Sequence, residues 1–151
     1  AKARLYFPSY GTDLAASRLG AEGLERVVKR MEENPEKRQL VCECENVTLA
    51  EVEEAAKDST SFMLSDVRRK TRMGMGTCQG AFCTFRTVGA VDANGLSWGK
   101  ETNGLFKEFL QARWTGIRPI LWGNVMREME LTRGIYDGTL NINGAIYNEG
   151  K

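Results

Sequence analysis

The chain has 151 residues, of which 42% are hydrophobic, enough to form the core of one compact domain or of two small ones. Its 21 basic and 20 acidic residues give a net charge of +1, so charge favours neither nucleic acid nor an anionic membrane as a partner. The sequence contains no histidine, which excludes Ser–His and Cys–His nucleophile pairs. We predict no catalytic residue in this chain.

Targeting and membrane signals are absent from the sequence. No apolar run approaches the roughly 20 residues of a spanning helix, and the amino terminus lacks the pattern of a secretory signal. These observations predict a cytoplasmic protein without a direct membrane span. The chain starts at Ala1 rather than at a methionine and continues as mid-protein sequence does, so we expect a piece of a longer protein.

The amino-terminal third predicts an arm followed by a helix. Residues 1–20 show no sustained period and contain Pro8, which predicts an extended lead-in arm. Residues 21–34 carry apolar side chains at helical spacing, and Pro35 ends that run. We assign residues 1–38 to the arm and this helix.

Short elements surround the cysteines. Residues 39–44 predict an extended segment, and the Thr48–Glu51 spacing is a capping box that opens a helix to about residue 57. Ser65 is predicted to cap a second helix, and Gly74 to end it. This second helix covers residues 66–73, and further helices are predicted at residues 79–91, 104–114 and 124–136, so the fold class is mainly α.

The four cysteines are arranged as two close pairs, with 33 residues between Cys44 and Cys78. In an extended segment Cys42 and Cys44 point to the same side and can bind one metal from one edge. Five residues of continuous helix would turn Cys83 away from Cys78, so we place Cys78 in the glycine turn and Cys83 in the following helix. The spacing predicts a metal site.

Both pairs are predicted near helix amino termini, where free N–H groups stabilise thiolates and a negatively charged cluster. The basic residues before the second pair either add positive potential or form a solvated helix face. They are Arg68, Arg69, Lys70 and Arg72.

Other interpretations of these patterns remain open or are rejected. Structural zinc, disulfides and unconnected thiols are alternatives to an iron–sulfur site, and spacing alone does not decide between them.

The glycines at 74–80 do not complete a dinucleotide-binding fingerprint, because Gln79 stands where glycine is required. The glycosylation sequon at Asn46 is discounted in a cytoplasmic protein.

The cysteine segments resemble a known family. The residues 41–48 (VCECENVT) and 74–83 (GMGTCQGAFC) are similar to the bacterioferritin-associated-ferredoxin (BFD) type of [2Fe-2S] domain, over about residues 39–92. The resemblance implies a small helical domain in which Cys42, Cys44, Cys78 and Cys83 are the metal and cofactor ligands. Residues 93–151 would be a helical extension that packs on it or on a flavin domain.

The last third of the chain resembles the A-subunit family of anaerobic glycerol-3-phosphate dehydrogenases, through the segments at residues 113–123 and 131–136. That resemblance implies an FAD-dependent oxidoreductase that converts sn-glycerol 3-phosphate to dihydroxyacetone phosphate and passes electrons to quinone. FAD is expected on an amino-terminal domain outside this sequence. The implied partners are the flavin domain of the same full-length chain and the other dehydrogenase subunits, with a peripheral position at the inner membrane face through those subunits.

Two functional classes follow. The first is an iron–sulfur electron-transfer domain that accepts single electrons from a reduced flavin. The second is a structural or regulatory docking module in which zinc or a non-redox cluster orders the helices. A cluster-delivery protein is a third and weaker alternative. Trp98, Trp114 and Trp122 are interpreted as core residues, with a docking face as the alternative.

Overall fold

The computed structural model describes residues 9–57, 63–96 and 101–140, and within these ranges the chain is mainly α-helical, as predicted. The helices are α1 (Ser9–Glu33), α2 (Leu49–Lys57), α3 (Leu64–Thr71), α4 (Cys83–Ala93), α5 (Thr102–Ile117) and α6 (Gly123–Leu140). Two short strands, β1 (Leu40–Cys42) and β2 (Val47–Thr48), pair antiparallel. No helix in the described ranges is both long and apolar enough to span a bilayer.

The chain divides into two compact units, Ala1–Thr102 and Asn103–Lys151. In the first unit, α2 is the central element, because α1, α3 and α4 all pack against it. Consequently every residue from 50 to 56 is buried. All four cysteines belong to this unit.

The second unit contains most of α5 and all of α6. Phe106 is buried and meets Tyr136 edge to face, with ring centroids 6.1 Å apart. Trp122 is 83% exposed, so its interpretation as a core residue is wrong. Trp114 is half-buried, and Trp98 lies outside the described residues.

Helix α1 begins at Ser9, so the predicted extended arm is wrong for residues 9–20. Ala15 is buried on this part of the helix. Gly20 interrupts the helix with φ 72° and ψ 177°, a conformation that glycine adopts without strain. The kink explains the error, because the apolar residues on its two sides do not follow one helical period.

Two other boundaries differ from their predictions. Met63, with an extended backbone, occupies the cap position of α3, and Ser65 lies inside the helix, so the predicted Ser65 cap is wrong. Helix α4 begins at Cys83 rather than at Gln79, because Gln79 and Gly80 have positive φ angles of 50° and 91°. Such angles are incompatible with a right-handed helix.

The capping box at the start of α2 is confirmed. The backbone N–H of Thr48 donates to Glu51 Oε2 over 2.8 Å, and the backbone N–H of Glu51 donates to Thr48 Oγ1 over 3.4 Å. The Thr48 hydroxyl also donates to the Glu51 carboxylate over 3.0 Å. Both side chains are buried, so these hydrogen bonds satisfy the polar groups at the start of α2 within the protein.

Helix α2 also carries three buried glutamates, and each has a basic partner from the first 37 residues. A buried carboxylate without such a partner is strongly destabilising, so these pairs fix α1 and the 3-10 helix that follows it (Pro35–Arg38) against α2. The pairs are Glu51 with Arg18, Glu53 with Lys37, and Glu54 with both Arg26 and Arg30.

The capping box gives the first prediction. Thr48→Ala removes the cap from the first N–H groups of α2, so we expect the free energy of unfolding to fall by about 1–2 kcal/mol. Urea denaturation followed by circular dichroism measures this change. Ser17→Ala is the control, because Ser17 is exposed and donates to the Leu14 carbonyl within α1, and its effect should stay within about 0.5 kcal/mol. Equal effects of the two substitutions would contradict the capping role.

Candidate functional site

The first cysteine segment is a tight hairpin. Strand β1 ends at Cys42, residues 43–46 form the turn, and β2 follows. Asn46 turns the chain with φ 53°, and its N–H donates to the Glu43 carbonyl over 3.3 Å. The predicted extended segment is therefore wrong beyond Cys42. Cys42 is buried and Cys44 is exposed, so the same-side argument based on strand alternation does not apply.

The second cysteine segment has the predicted arrangement. Cys78 lies in the turn between α3 and α4, and Cys83 is the first residue of α4. The chain enters this turn through positive φ angles at Arg72 and Gly74, of 63° and 78°. Cys83 is buried, whereas Cys78 is partly exposed.

The thiols interact across the two segments. The Cys83 thiol donates to the Cys42 sulfur, which raises the pKa of Cys83 and lowers the pKa of Cys42 to about 6. Burial opposes the lowering at Cys42, and the backbone N–H groups of Gly74 and Glu45 support it by donating to the same sulfur. This contact between two buried sulfurs thus favours a thiolate at Cys42 and a protonated thiol at Cys83.

Cys44 pairs with Cys78 at the exposed side of the site. The backbone N–H of Cys78 is the largest cause that lowers the pKa of Cys44, followed by the Thr77 hydroxyl and the Cys78 side chain. The Thr77 Oγ1–Cys44 Sγ distance is 3.6 Å. These donors favour a thiolate at Cys44.

The four cysteines are free thiols. Within the part of the chain that the structure describes, no three Cys, Asp or Glu side chains converge closely enough to form a ready-made site for one metal ion. The structure therefore brings both segments together, with contacts between Cys42 and Cys83 and between Cys44 and Cys78, and smaller electrostatic interactions between Cys42 and Cys44 and between Cys78 and Cys83.

Gly76 allows the second segment to approach the first. A Cβ atom added at Gly76 would overlap the Cβ atom of Cys44 and would contact its backbone at 3.5 Å. Any other residue at position 76 would thus displace Cys44 or the turn. The four-thiol arrangement requires this close approach, and the donor chemistry and the glycine together fit a cluster held by thiolates.

Two arginines lie beside the cysteine hairpin. Arg72 Nε donates to Glu45 Oε2 over 3.0 Å, and Arg86 Nη1 donates to Glu43 Oε1 over 2.5 Å. The Glu43 carboxylate is the main cause that raises the pKa of Arg86, and the Cys83 and Cys42 sulfurs contribute. Arg72 belongs to the basic set that the sequence singled out.

Arg86 was missed at the level of sequence. The sequence could have indicated it, because Arg86 lies three residues after Cys83 and residues three apart in a helix share a face. Both arginines place positive charge near a site that would carry a negative cluster.

Comparisons with known proteins agree with the sequence resemblances. Residues 40–88 match the family of BFD-like [2Fe-2S] binding domains. The A subunit of the anaerobic glycerol-3-phosphate dehydrogenase of Escherichia coli (strain K12) is 42% identical over 105 residues, which is 70% of this chain and 19% of that protein. No solved structure matches the chain.

Similar proteins occur in other organisms. The corresponding A subunit of Haemophilus influenzae is 36% identical over 78% of this chain and 21% of its own length. The A1 subunit of Haloferax volcanii is 33% identical over 84% of this chain and 20% of its own length. The chain thus spans about a fifth of the length of these relatives. Residues 40–88 are thus similar to BFD-like [2Fe-2S] binding domains, and the chain is similar to one part of the A subunits of anaerobic glycerol-3-phosphate dehydrogenases.

Proposed function

We propose that this chain is the iron–sulfur electron-transfer part of an FAD-dependent glycerol-3-phosphate dehydrogenase. Its cluster is held by Cys42, Cys44, Cys78 and Cys83. Single electrons come from a reduced flavin elsewhere in the enzyme and pass to partner subunits and then to quinone. The chain itself supplies position and potential, not catalysis.

The observation that carries this proposal is that all four thiols come together within the segment that matches BFD-like [2Fe-2S] binding domains. Zinc in a structural site needs four donors around one atom at about 2.0–2.3 Å. A [2Fe-2S] cluster is a larger body with two iron atoms, and four cysteine thiolates hold it. Four thiols fit either group, and the match of residues 40–88 to BFD-like [2Fe-2S] binding domains favours the cluster.

The residues around the sulfurs control the charge on the site. Donors to Cys42 are the N–H groups of Gly74 and Glu45, and donors to Cys44 are the N–H of Cys78 and the hydroxyl of Thr77. When bound, a [2Fe-2S] cluster supplies a one-electron donor and acceptor. Hydrogen bonds to its sulfur ligands favour the more negative reduced state.

The site has a closed side and an open side. Cys42, at the end of β1, and Cys83, at the start of α4, are buried, so water has little access to their sulfurs. Cys44 is exposed, with the exposed Thr77 beside it. We expect electrons to enter and leave through the Cys44 side, because an electron donor approaches a sulfur ligand most closely there.

The substrate and the flavin are inferred from the relatives. Their names describe one subunit of an anaerobic glycerol-3-phosphate dehydrogenase, and about four fifths of their length lies outside the matched region. We place FAD and the oxidation of sn-glycerol 3-phosphate in that remainder. Other subunits of the same enzyme are the proposed partners, and they would hold the protein at the inner membrane face.

A structural or regulatory zinc site is the second candidate. Four thiolates are also good zinc ligands, and a metal that joined the hairpin to the glycine turn would order both. Only the metal content distinguishes this candidate, because the same cysteines serve both.

Metal analysis tests the electron-transfer proposal. Anaerobically prepared protein should contain about two iron atoms and two acid-labile sulfides per chain, and its electron paramagnetic resonance signal should appear on one-electron reduction. Cys44→Ser should lower the cluster content strongly, because it removes a ligand at an exposed position. Thr77→Ser keeps a hydroxyl beside Cys44 and should retain the cluster. Stoichiometric zinc without sulfide would overturn the proposal in favour of the second candidate.

Gly76 provides a test of the site's geometry. Gly76→Ala places a methyl group in the space of the Cys44 Cβ atom, so we expect lower cluster content and a loss of stability of about 1–3 kcal/mol. Gly89→Ala is the control, because nothing lies within 4 Å of an added Cβ there. A Gly76→Ala protein with wild-type cluster content would contradict the close approach of the two segments.

The proposal that substrate oxidation occurs at the flavin and electron transfer in this chain is also testable. The isolated chain should not oxidise sn-glycerol 3-phosphate in the presence of an artificial electron acceptor, whereas photoreduced free flavin should reduce its cluster. Absorbance of the acceptor and bleaching of the cluster measure the two reactions. Turnover of glycerol 3-phosphate by this chain alone would show that the flavin part is not required for the chemistry.

A further inference from the structure

Arg18 of helix α1 lies outside the matched [2Fe-2S] domain of residues 40–88. Its side chain is nevertheless buried and contacts the cysteine hairpin. Only 3% of the side chain is exposed. Arg26, two turns further along the same helix, has a side chain that is 55% exposed. A buried guanidinium needs specific partners, so the contacts of Arg18 indicate what it does.

The guanidinium of Arg18 joins the hairpin to helix α2. Its Nη1 donates to Glu51 Oε1 over 3.2 Å, and its Nη2 donates to the backbone carbonyl of Glu45 over 2.6 Å. Glu51 also belongs to the capping box with Thr48. The planar fork of arginine suits two such partners at once, which a lysine ammonium does not.

Glu45 follows Cys44 directly and contacts both cysteine segments. Its backbone N–H donates to the Cys42 sulfur, and its carboxylate accepts from Arg72 at the entrance to the glycine turn. Its carbonyl is held by Arg18. These three contacts fix the position of Glu45 and therefore direct its backbone N–H at the Cys42 sulfur.

We infer that Arg18 is a positioning residue for the cluster: it holds the Cys42–Cys44 hairpin through the Glu45 carbonyl, and the working [2Fe-2S] unit includes helix α1. This inference rests on the proposed function, in which the four cysteines hold the cluster. The matched domain of residues 40–88 supplies the ligands, and α1 supplies the contact that orders one ligand pair.

Loss of Arg18 should affect the cluster directly. Glu45 would lose the contact on its carbonyl, and its N–H group would be directed less firmly at the Cys42 sulfur. Outer contacts of metal ligands typically account for about 10–100-fold in metal affinity. We therefore expect the cluster to be released about 10-fold faster and its reduction potential to fall, since a donor to the reduced state is weakened.

The variant that tests this is Arg18→Met combined with Glu51→Gln in the full 151-residue chain. Removal of Arg18 alone would leave Glu51 charged and buried, which is strongly destabilising in its own right. Glutamine still completes the capping box with Thr48. The matched control is Lys37→Met with Glu53→Gln, which removes another buried α2 ion pair that does not include Glu45.

Three measurements apply to both double variants: the rate of cluster release to an iron chelator, the reduction potential, and the electron paramagnetic resonance spectrum. The Arg18–Glu51 variant should release its cluster about 10-fold faster than the Lys37–Glu53 variant, at a lower potential. Equal release rates and potentials in the two variants would overturn the inference.

A measurement on metal-free protein separates this inference from the proposed function. The Asn46 N–H closes the hairpin turn, and hydrogen exchange reports its opening. Exchange at Asn46 should be about 10-fold faster in the Arg18–Glu51 variant than in the control, whichever metal the wild type holds. Unchanged exchange overturns the positioning role, whereas a wild type without iron and sulfide overturns only the proposed function.

Discussion

Burial of glutamates on helix α2 is the constraint on which the first unit depends. Glu51, Glu53 and Glu54 are all buried, and a carboxylate withdrawn from water requires a positive partner and hydrogen bonds. The partners come from α1 and from the 3-10 helix Pro35–Arg38 that follows it. The ion pairs fix how α1 lies along α2. Helices α3 and α4 pack against the same central helix.

This constraint extends into the site. Glu51 is shared between the capping box of α2 and Arg18, and Arg18 also holds the carbonyl of Glu45 beside the cysteines. The helix packing and the site are therefore linked, because Arg18 contacts both Glu51 of α2 and the backbone of the cysteine hairpin. The cysteines themselves add a second contact between the segments, since the Cys83 thiol donates to the Cys42 sulfur.

Much of the fold could be predicted from local patterns. The capping box of Thr48 and Glu51, the mainly α class and the positions of Cys78 and Cys83 all depend on residues close in sequence, and each is confirmed. The errors have local causes as well. Gly20 breaks the period of α1, and Asn46 turns the hairpin where a continuous extended segment was predicted.

The sequence by itself determined that four thiols are present, that they lie in two short segments, and that glycines allow those segments to approach each other. These features are local, because they depend only on which residues each segment contains and on their spacing. Only the tertiary structure decided that the sulfurs pair across segments, Cys42 with Cys83 and Cys44 with Cys78, and that Arg18 and Arg86 lie beside them. The reason is distance along the chain. The arginine contacts join residues 27 and 43 positions apart, and their geometry follows from how α1, α2 and α4 pack rather than from any local period.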